Sequence, residues 1–163
     1  MFTFFWRLLW VYIADNTHLW PWVFLGKKRD IWIGERVGIG LGYHIAVAPT
    51  WVLRIGWWTR INRFFTCWVS DRVIIGEDCL LSYNVSIQSG NHSFWRNEIP
   101  GTSADTTGPI HIGSRCFIWC WVVIVKWVTL GENCVVWANS VVTKSFPAGS
   151  IIWWNPAILI KNL

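Results

Sequence analysis

Aliphatic residues recur every six positions along the C-terminal half of this 163-residue chain. Four positions after each of the first five stands a compact residue, in turn Cys116, Val122, Val128, Cys134 and Ser140. A period of six fits neither an amphipathic helix, with a period of about 3.6, nor a lone strand, with a period of about 2. The aliphatic series is Ile112, Ile118, Ile124, Leu130, Val136 and Val142.

The same frame of six appears in three stretches nearer the N-terminus. Its aliphatic positions there are Ile33, Ile39, Ile45, Ile55, Ile61, Ile75, Leu81 and Ile87. A unit that buries one aliphatic and one compact residue is typical of a solenoid of parallel strands. Three units close one triangular coil, and coils stack at about 4.8 Å. The pattern therefore predicts an all-β, parallel β-helix.

Two interruptions break this frame. A short one lies between Cys67 and Ile75, and a longer one covers residues 88–109. The longer stretch holds Gly90, Pro100 and a cluster of Ser, Thr and Asp residues, which are loop signals. A loop of about twenty residues in a compact domain usually carries function. We therefore predict an extruded loop over residues 88–109.

The composition adds an excess of tryptophan and an odd number of cysteines. The chain has 16 Trp, 3 Tyr and 5 Cys, and 53% of its residues are hydrophobic against 14% charged. That balance excludes a disordered chain. No CxxC pair supports a zinc or redox site, and unpaired thiols favour a reducing cytoplasm. Because Cys79, Cys116 and Cys134 occupy compact slots, we expect them to be stacked core thiols.

The N-terminal segment differs from the rest in charge and aromatic content. Residues 1–63 carry eight basic and three acidic side chains, which accounts for the whole net charge of +5. Residues 2–13 form the best apolar run, but they include Arg7 and are too few to span a bilayer, which takes roughly 20 residues. We expect residues 1–30 to cap one end of the core. The alternative is peripheral attachment to an anionic membrane at its inner face, through residues 2–24 and the basic Lys27-Lys28-Arg29.

Four short motifs carry a resemblance to a known family. They are Ile112-Gly113-x-x-Cys116, Leu130-Gly131-Glu132-Asn133-Cys134, Asn139-Ser140-Val141-Val142-Thr143-Lys144 and Asn155-Pro156-Ala157. Residues 31–161 resemble the hexapeptide-repeat acyltransferases, most closely the galactoside, maltose and polysaccharide-biosynthesis O-acetyltransferases. The resemblance implies a left-handed coil, a homotrimer, and transfer of acetyl from acetyl-CoA to a sugar hydroxyl.

The resemblance also implies acceptor-side roles for three residues. The segment that begins at Ile75 and ends at His92 is similar to the one that ends in the family's catalytic histidine. Imidazole titrates near neutral pH, so His92 is the expected general base. Asn62 matches an asparagine that helps to hold the acceptor or the carbonyl oxygen; the alternative is an ordinary corner asparagine. Asp71 lies near an acidic acceptor-binding position, one residue out of alignment, and a simple turn aspartate is its alternative.

The donor side follows from the same resemblance. Positions that match the family's coenzyme A contacts are Cys120, Ala138, Thr143, Lys144 and, near the nucleotide, Lys161. Lysine suits phosphate as a point charge, although both lysines also fit as plain surface residues. No histidine pair has metal-ligand spacing, so we expect no metal. No motif supports nucleic-acid binding.

Tryptophan stands at many coil corners where the family has small residues. Trp58, Trp121 and Trp127 fall at the fourth hexad position, and the resemblance implies that the backbone there is often left-handed. That conformation costs most residues roughly 1–2 kcal/mol. Trp119 and Trp137 stand where small residues admit the pantetheine arm. Outward or corner positions are expected for Trp57, Trp58, Trp119, Trp121, Trp127 and Trp137.

Two classes of function therefore stay open. The first is a coenzyme A-dependent O-acetyltransferase in which His92 deprotonates the acceptor within a ternary complex. The second is a catalytically inactive or engineered β-solenoid scaffold whose Trp-rich outer faces act in assembly or surface binding.

Overall fold

The computed structural model describes residues 11–13, 18–19, 30–47, 51–92 and 106–163, and in these segments every regular element is a β-strand. The first strands are β1 (Val11–Ile13), β2 (His18–Leu19), β3 (Asp30–Ile33), β4 (Gly38–Ile39), β5 (His44–Val47), β6 (Val52–Ile55) and β7 (Arg60–Ile61). The central ones are β8 (Thr66–Val69), β9 (Val73–Ile75), β10 (Leu80–Leu81), β11 (Ser86–Gln88), β12 (Gly90–Asn91), β13 (Thr106–Thr107) and β14 (Ile110–Ile112). The last are β15 (Phe117–Ile118), β16 (Val123–Val125), β17 (Thr129–Leu130), β18 (Val135–Val136), β19 (Val141–Val142), β20 (Ser150–Trp153) and β21 (Ile158–Asn162).

The strands form the three faces of a prism. The first face is β1-β3-β6-β9-β14-β17, the second β2-β4-β7-β10-β15-β18-β20-β21, and the third β5-β8-β11-β16-β19. Neighbouring coils pair in parallel, for example β11 with both β8 and β16, whereas β21 folds back antiparallel on β20. This confirms the left-handed parallel β-helix.

The six-residue frame defines the core. Coil-to-coil register places aliphatic residues in columns, as Ile124 pairs with Ile87 above it and Val142 below it. The compact residues fill the remaining space at the corners. Residues with no measurable exposure are Ile112, Ile118, Ile124, Leu130, Val136 and Val142 in the aliphatic slot, and Val122, Val128, Cys134 and Ser140 in the compact slot.

The column of core thiols is present. Cys79, Cys116 and Cys134 are buried. Each Sγ donates a hydrogen bond to a corner carbonyl of the following coil, at 3.2 Å. Hydrogen bonds with the Cys134 and Cys79 thiols, together with burial, raise the pKa of Cys116 above its ordinary value. These cysteines are therefore packing residues.

The tryptophans point outward from the coil, as expected. The six tryptophans expected at outward or corner positions are all exposed. Trp58, Trp121 and Trp127 have φ of 61°, 63° and 69°, close to the 56° and 62° of Asn133 and Asn139. The hexad position therefore sets the left-handed backbone at these corners whichever residue occupies it.

The loop and the cap are described only in part. β12 and β13 pair antiparallel and form the root of the extruded loop, while residues 93–105 lie outside the described residues. Of the expected cap, β1 and β2 extend the first and second faces, and the basic Lys27-Lys28-Arg29 lies outside. No helix in the described segments is long and apolar enough to cross a membrane.

Candidate active site

An open cavity of about 550 Å³ lies where the loop leaves the third face. Three of its lining residues, Trp68, Gln88 and Val125, come from the face itself, and Ser70 and Lys126 follow face strands. The loop root supplies Gly90, Asn91 and His92. Sheet and loop therefore build the site together.

The floor of the cavity is one outward-pointing column of the third face. Gln88 pairs in register with Trp68 on one side and Val125 on the other. Side chains alternate along a strand, so the residues just before them, Cys67, Ile87 and Ile124, point inward and are buried. The hexad frame thus fixes which side chains face the cavity.

His92 lies at the mouth of this cavity and is exposed. Its imidazole meets the Trp68 indole edge to face, with ring centroids 6.4 Å apart and planes at 86°. Offset or edge-to-face arrangements are the favoured geometry of aromatic pairs. Trp68 therefore orients the ring of His92 from the sheet side.

Asn91 ties the loop root to the coil beneath it. Its Oδ1 accepts hydrogen bonds from Thr106 Oγ1, at 2.7 Å, and from Lys126 Nζ. Its Nδ2 donates to the carbonyl oxygen of His92 at 3.3 Å. The backbone that bears His92 is thereby joined to both strands of the root and to the adjacent coil.

A buried serine fixes the direction in which the chain leaves the sheet. Ser89 Oγ accepts hydrogen bonds from the backbone N–H groups of Ser70, at 2.7 Å, and Asp71, at 3.1 Å, and donates to the Trp68 carbonyl at 3.1 Å. A Cβ on Gly90 would come within 2.7 Å of Ser70 Cβ. Close packing at this point therefore requires glycine.

The two expected acceptor residues lie outside the cavity lining. Asp71 directly follows the lining residue Ser70, and its carboxylate accepts a hydrogen bond from the N–H of Arg72 at 2.6 Å. Asn62 occupies a corner between the second and third faces, where its N–H donates to the Leu81 carbonyl at 2.8 Å. Their roles in acceptor binding stay predictions.

The expected donor contacts fall into separate groups. Thr143 and Lys144 follow β19 and continue the outward column of Val125 and the cavity. Cys120 and Ala138 stack at the corner before the third face, at its opposite edge. Lys161 is exposed in β21. Within a single chain, therefore, only Thr143 and Lys144 lie at the same edge of the third face as His92.

Several residues of the cavity were not predicted from the sequence. Trp68, Gln88 and Lys126 line the cavity, and none was singled out as a candidate. The available signal was their place in the frame, since Trp68 and Gln88 are outward residues of strands that flank the loop. Lys126 lacks such a signal because it meets Asn91 across 35 residues of chain. The described residues contain no cluster of three or more His, Cys, Asp or Glu side chains able to hold a metal ion.

Comparison with known proteins agrees with this geometry. Residues 109–144 match the family described as Bacterial transferase hexapeptide (six repeats). Residues 109–144 thus carry the hexapeptide repeat of that family. It is 25% identical over 131 residues to the Putative colanic acid biosynthesis acetyltransferase WcaF of Escherichia coli (strain K12), covering 77% of this chain and 70% of that protein.

Two further proteins are similar to this chain, a second curated relative and a solved structure. The chain is 26% identical over 147 residues to the Putative lipopolysaccharide biosynthesis O-acetyl transferase WbbJ of Escherichia coli (strain K12), covering 85% of this chain and 75% of that protein. The Hexapeptide-Repeat containing-Acetyltransferase VCA0836 of Vibrio cholerae O1 biovar eltor, complexed with acetyl coenzyme A, superposes with a TM-score of 0.73 at 27% identity. That match covers 80% of this chain and 69% of that one. The resemblance carried by the sequence motifs is confirmed.

Proposed function

We propose that this protein transfers the acetyl group of acetyl-CoA to a sugar hydroxyl, with His92 as general base and both substrates bound at once. The observation that carries the proposal is the position of His92 at the mouth of the cavity, in a chain similar to acetyltransferases. Acetyl-CoA is the proposed co-substrate because one of these relatives was solved with it.

The proposed chemistry needs no covalent enzyme intermediate. An imidazole nitrogen of His92 removes the acceptor's hydroxyl proton as that oxygen attacks the thioester carbonyl. The tetrahedral intermediate collapses, the carbon–sulfur bond breaks, and the imidazolium returns the proton to the departing thiolate. A backbone amide stabilises the oxyanion, or Asn62 of a neighbouring protomer does so, since Asn62 lies at the other edge of the third face from His92. Such stabilisation is usually worth several kcal/mol. No cysteine lines the cavity in the described part of the chain, in keeping with direct transfer.

The separation of the donor contacts favours a homotrimer. Thr143 and Lys144 lie at the His92 edge of the third face, whereas Cys120 and Ala138 lie at its other edge. One extended coenzyme arm can contact both sets if the edge of one protomer adjoins the other edge of its neighbour. In that arrangement Lys144 and Lys161 supply positive charge for the phosphates.

The general-base role is tested by histidine substitution. The rate at which the coenzyme A thiol is released from acetyl-CoA is measured in the presence of a sugar acceptor. The wild type, His92→Ala and the matched control His111→Ala are compared. His111 is an exposed histidine of β14 outside the cavity lining. We expect His92→Ala to lower turnover by about 10²–10⁴-fold and His111→Ala to leave it unchanged. Equal rates for all three proteins would remove His92 from the mechanism.

The Trp119–Trp137 stack favours a second candidate function. These rings lie beside Cys120 and Ala138, with centroids 5.4 Å apart, at the corner expected to admit the pantetheine arm. A filled corner suits a non-catalytic scaffold whose aromatic surface drives assembly. That function predicts self-association that weakens in Trp119→Ser. Serine is chosen because Ser82 occupies the matching position one coil earlier. A single species insensitive to this change, measured by analytical ultracentrifugation, argues against it.

A further inference from the structure

We infer that the sugar acceptor carries an anionic group, a carboxylate or a phosphate, which Lys126 selects while Trp68 holds the sugar ring. This inference rests on the proposed acetyl transfer and deepens it by naming the acceptor class. Three features support it: a cation in the cavity that pairs with no carboxylate of the described residues, an open aromatic surface beside it, and the distribution of charge on the donor.

The charge belongs to Lys126. Among the described residues that line the cavity, this lysine is the only permanently charged side chain, and no carboxylate of the described residues pairs with it. Its Nζ donates to Asn91 Oδ1, which is a neutral acceptor. An ammonium group has three donors, so two remain for a ligand. A half-buried cation without a carboxylate partner attracts an anion more strongly than a fully solvated one does.

The aromatic surface belongs to Trp68. Its side chain is 50% exposed although it lines the cavity and touches His92. A pyranose ring presents an apolar face of C–H groups that packs on an indole, while its hydroxyls require polar partners. Gln88 lies next to Trp68 in the same column, and its Nε2 donates to Ser86 Oγ at 2.8 Å, which leaves its carbonyl oxygen as an acceptor for a sugar hydroxyl.

The position of Lys126 assigns it to the acceptor rather than to the donor. Asn91 contacts both the Lys126 ammonium and the His92 carbonyl, so the cation lies beside the reacting hydroxyl. The thioester end of acetyl-CoA is uncharged, and its phosphates lie at the far end of the pantetheine arm. Lys144, one coil further along the column and exposed, is the better placed lysine for those phosphates.

Matched acceptors test this selection. Methyl β-D-glucoside, methyl β-D-glucuronide and methyl β-D-glucoside 6-phosphate differ only at C6, and the corresponding galactosides form a second set; none has an aromatic aglycone to bind Trp68. We expect kcat/KM to be roughly tenfold higher for an anionic member than for the neutral one. The two anionic members distinguish a uronate from a sugar phosphate. The preference shrinks as salt is raised, because exposed charges are screened.

Variants identify the source of the preference. Lys126→Gln is expected to bring the anionic-to-neutral ratio to about one, Lys126→Arg to keep it, and Lys144→Gln to raise the KM for acetyl-CoA while keeping the ratio. Trp68→Ala should raise acceptor KM for neutral and anionic sugars alike. An equal kcat/KM for neutral and anionic acceptors, or a ratio that survives Lys126→Gln, overturns the inference but leaves the acetyltransferase proposal standing. No turnover of any acceptor by folded protein overturns both.

Discussion

The indole rings of Trp119 and Trp137 stack across two adjacent coils, with centroids 5.4 Å apart and planes 9° apart. The coil ladder sets this spacing, because the N–H of Trp119 donates to the Val136 carbonyl at 2.9 Å. Both rings remain partly exposed. The stack therefore stabilises two neighbouring coils while it narrows the corner beside Cys120 and Ala138.

The contribution of this stack is measurable by a double-mutant cycle. Trp119→Ala and Trp137→Ala, singly and together, are compared by urea unfolding. Aromatic pairs contribute about 0.5–1.5 kcal/mol beyond area burial, so we expect a coupling free energy of about 1 kcal/mol. Strictly additive effects would show that the rings are adjacent without stabilising one another.

The left-handed corners predict a stabilising substitution at Trp121. This residue has a φ of 63°, and Asn84 and Asn139 hold the matching corner of neighbouring coils at 58° and 62°. Asparagine tolerates this region better than tryptophan does. Trp121→Asn should therefore raise the free energy of unfolding by about 1 kcal/mol, because the 59% exposed indole loses little buried area.

The matched control is Trp119→Asn, two residues earlier and outside the positive-φ set. It should lower stability because it removes the stack without relieving strain. A gain of similar size at both positions would assign the effect to loss of surface tryptophan in general.

The exit of the loop depends on a close contact between Gly108 and Trp127. A Cβ on Gly108 would lie 2.4 Å from Cε2 of the Trp127 ring. Gly108→Ala is thus expected to displace the indole and to cost about 1–3 kcal/mol, with a fall in turnover because the root that carries His92 shifts. In a Trp127→Ala background the same substitution should cost much less. An undiminished penalty there would locate the strain in the backbone.

Burial of Cys67 predicts a stability change at alkaline pH. Desolvation raises the pKa of this thiol from 9.0 to about 12, so its neutral form is favoured in the folded protein. The corresponding stability is fully present below pH 9 and is lost as pH rises toward 12, by an amount on the order of 4 kcal/mol.

Cys67→Val supplies the comparison, since isoleucine fills the same slot at Ile45 and Ile87 in the flanking coils. Urea unfolding of both proteins between pH 8 and about 11.5 should show a steeper loss for the wild type. If the free energy of unfolding falls equally with pH in both proteins, the pKa of Cys67 is the same in the folded and unfolded states. Burial also raises the pKa of Tyr43 to about 12, and that contribution is common to both proteins.

The sequence predicts the inward residues and the corners better than it predicts the cavity. A fixed period of six converts position directly into direction, so Ile118 and Val136 were assignable to the core from numbering alone. The strained corner at Trp121 was predicted from the family resemblance. The cavity depends on contacts across the loop insertion. Lys126 reaches Asn91 from another coil, and the shift in frame caused by the loop conceals that proximity. The donor residues were predicted by resemblance, and their division between two edges became visible only with the coils stacked.

We expect this solenoid to bind acetyl-CoA for transfer despite tryptophan at its corners. Calorimetric titration of the folded protein with acetyl-CoA is the decisive experiment. Binding should be saturable at about one molecule per chain, weakened by Lys144→Gln and unaffected by Lys28→Gln. Absence of binding to a sample with intact β-sheet circular dichroism would contradict the claim, and the scaffold function would then be the better explanation of the Trp119–Trp137 stack.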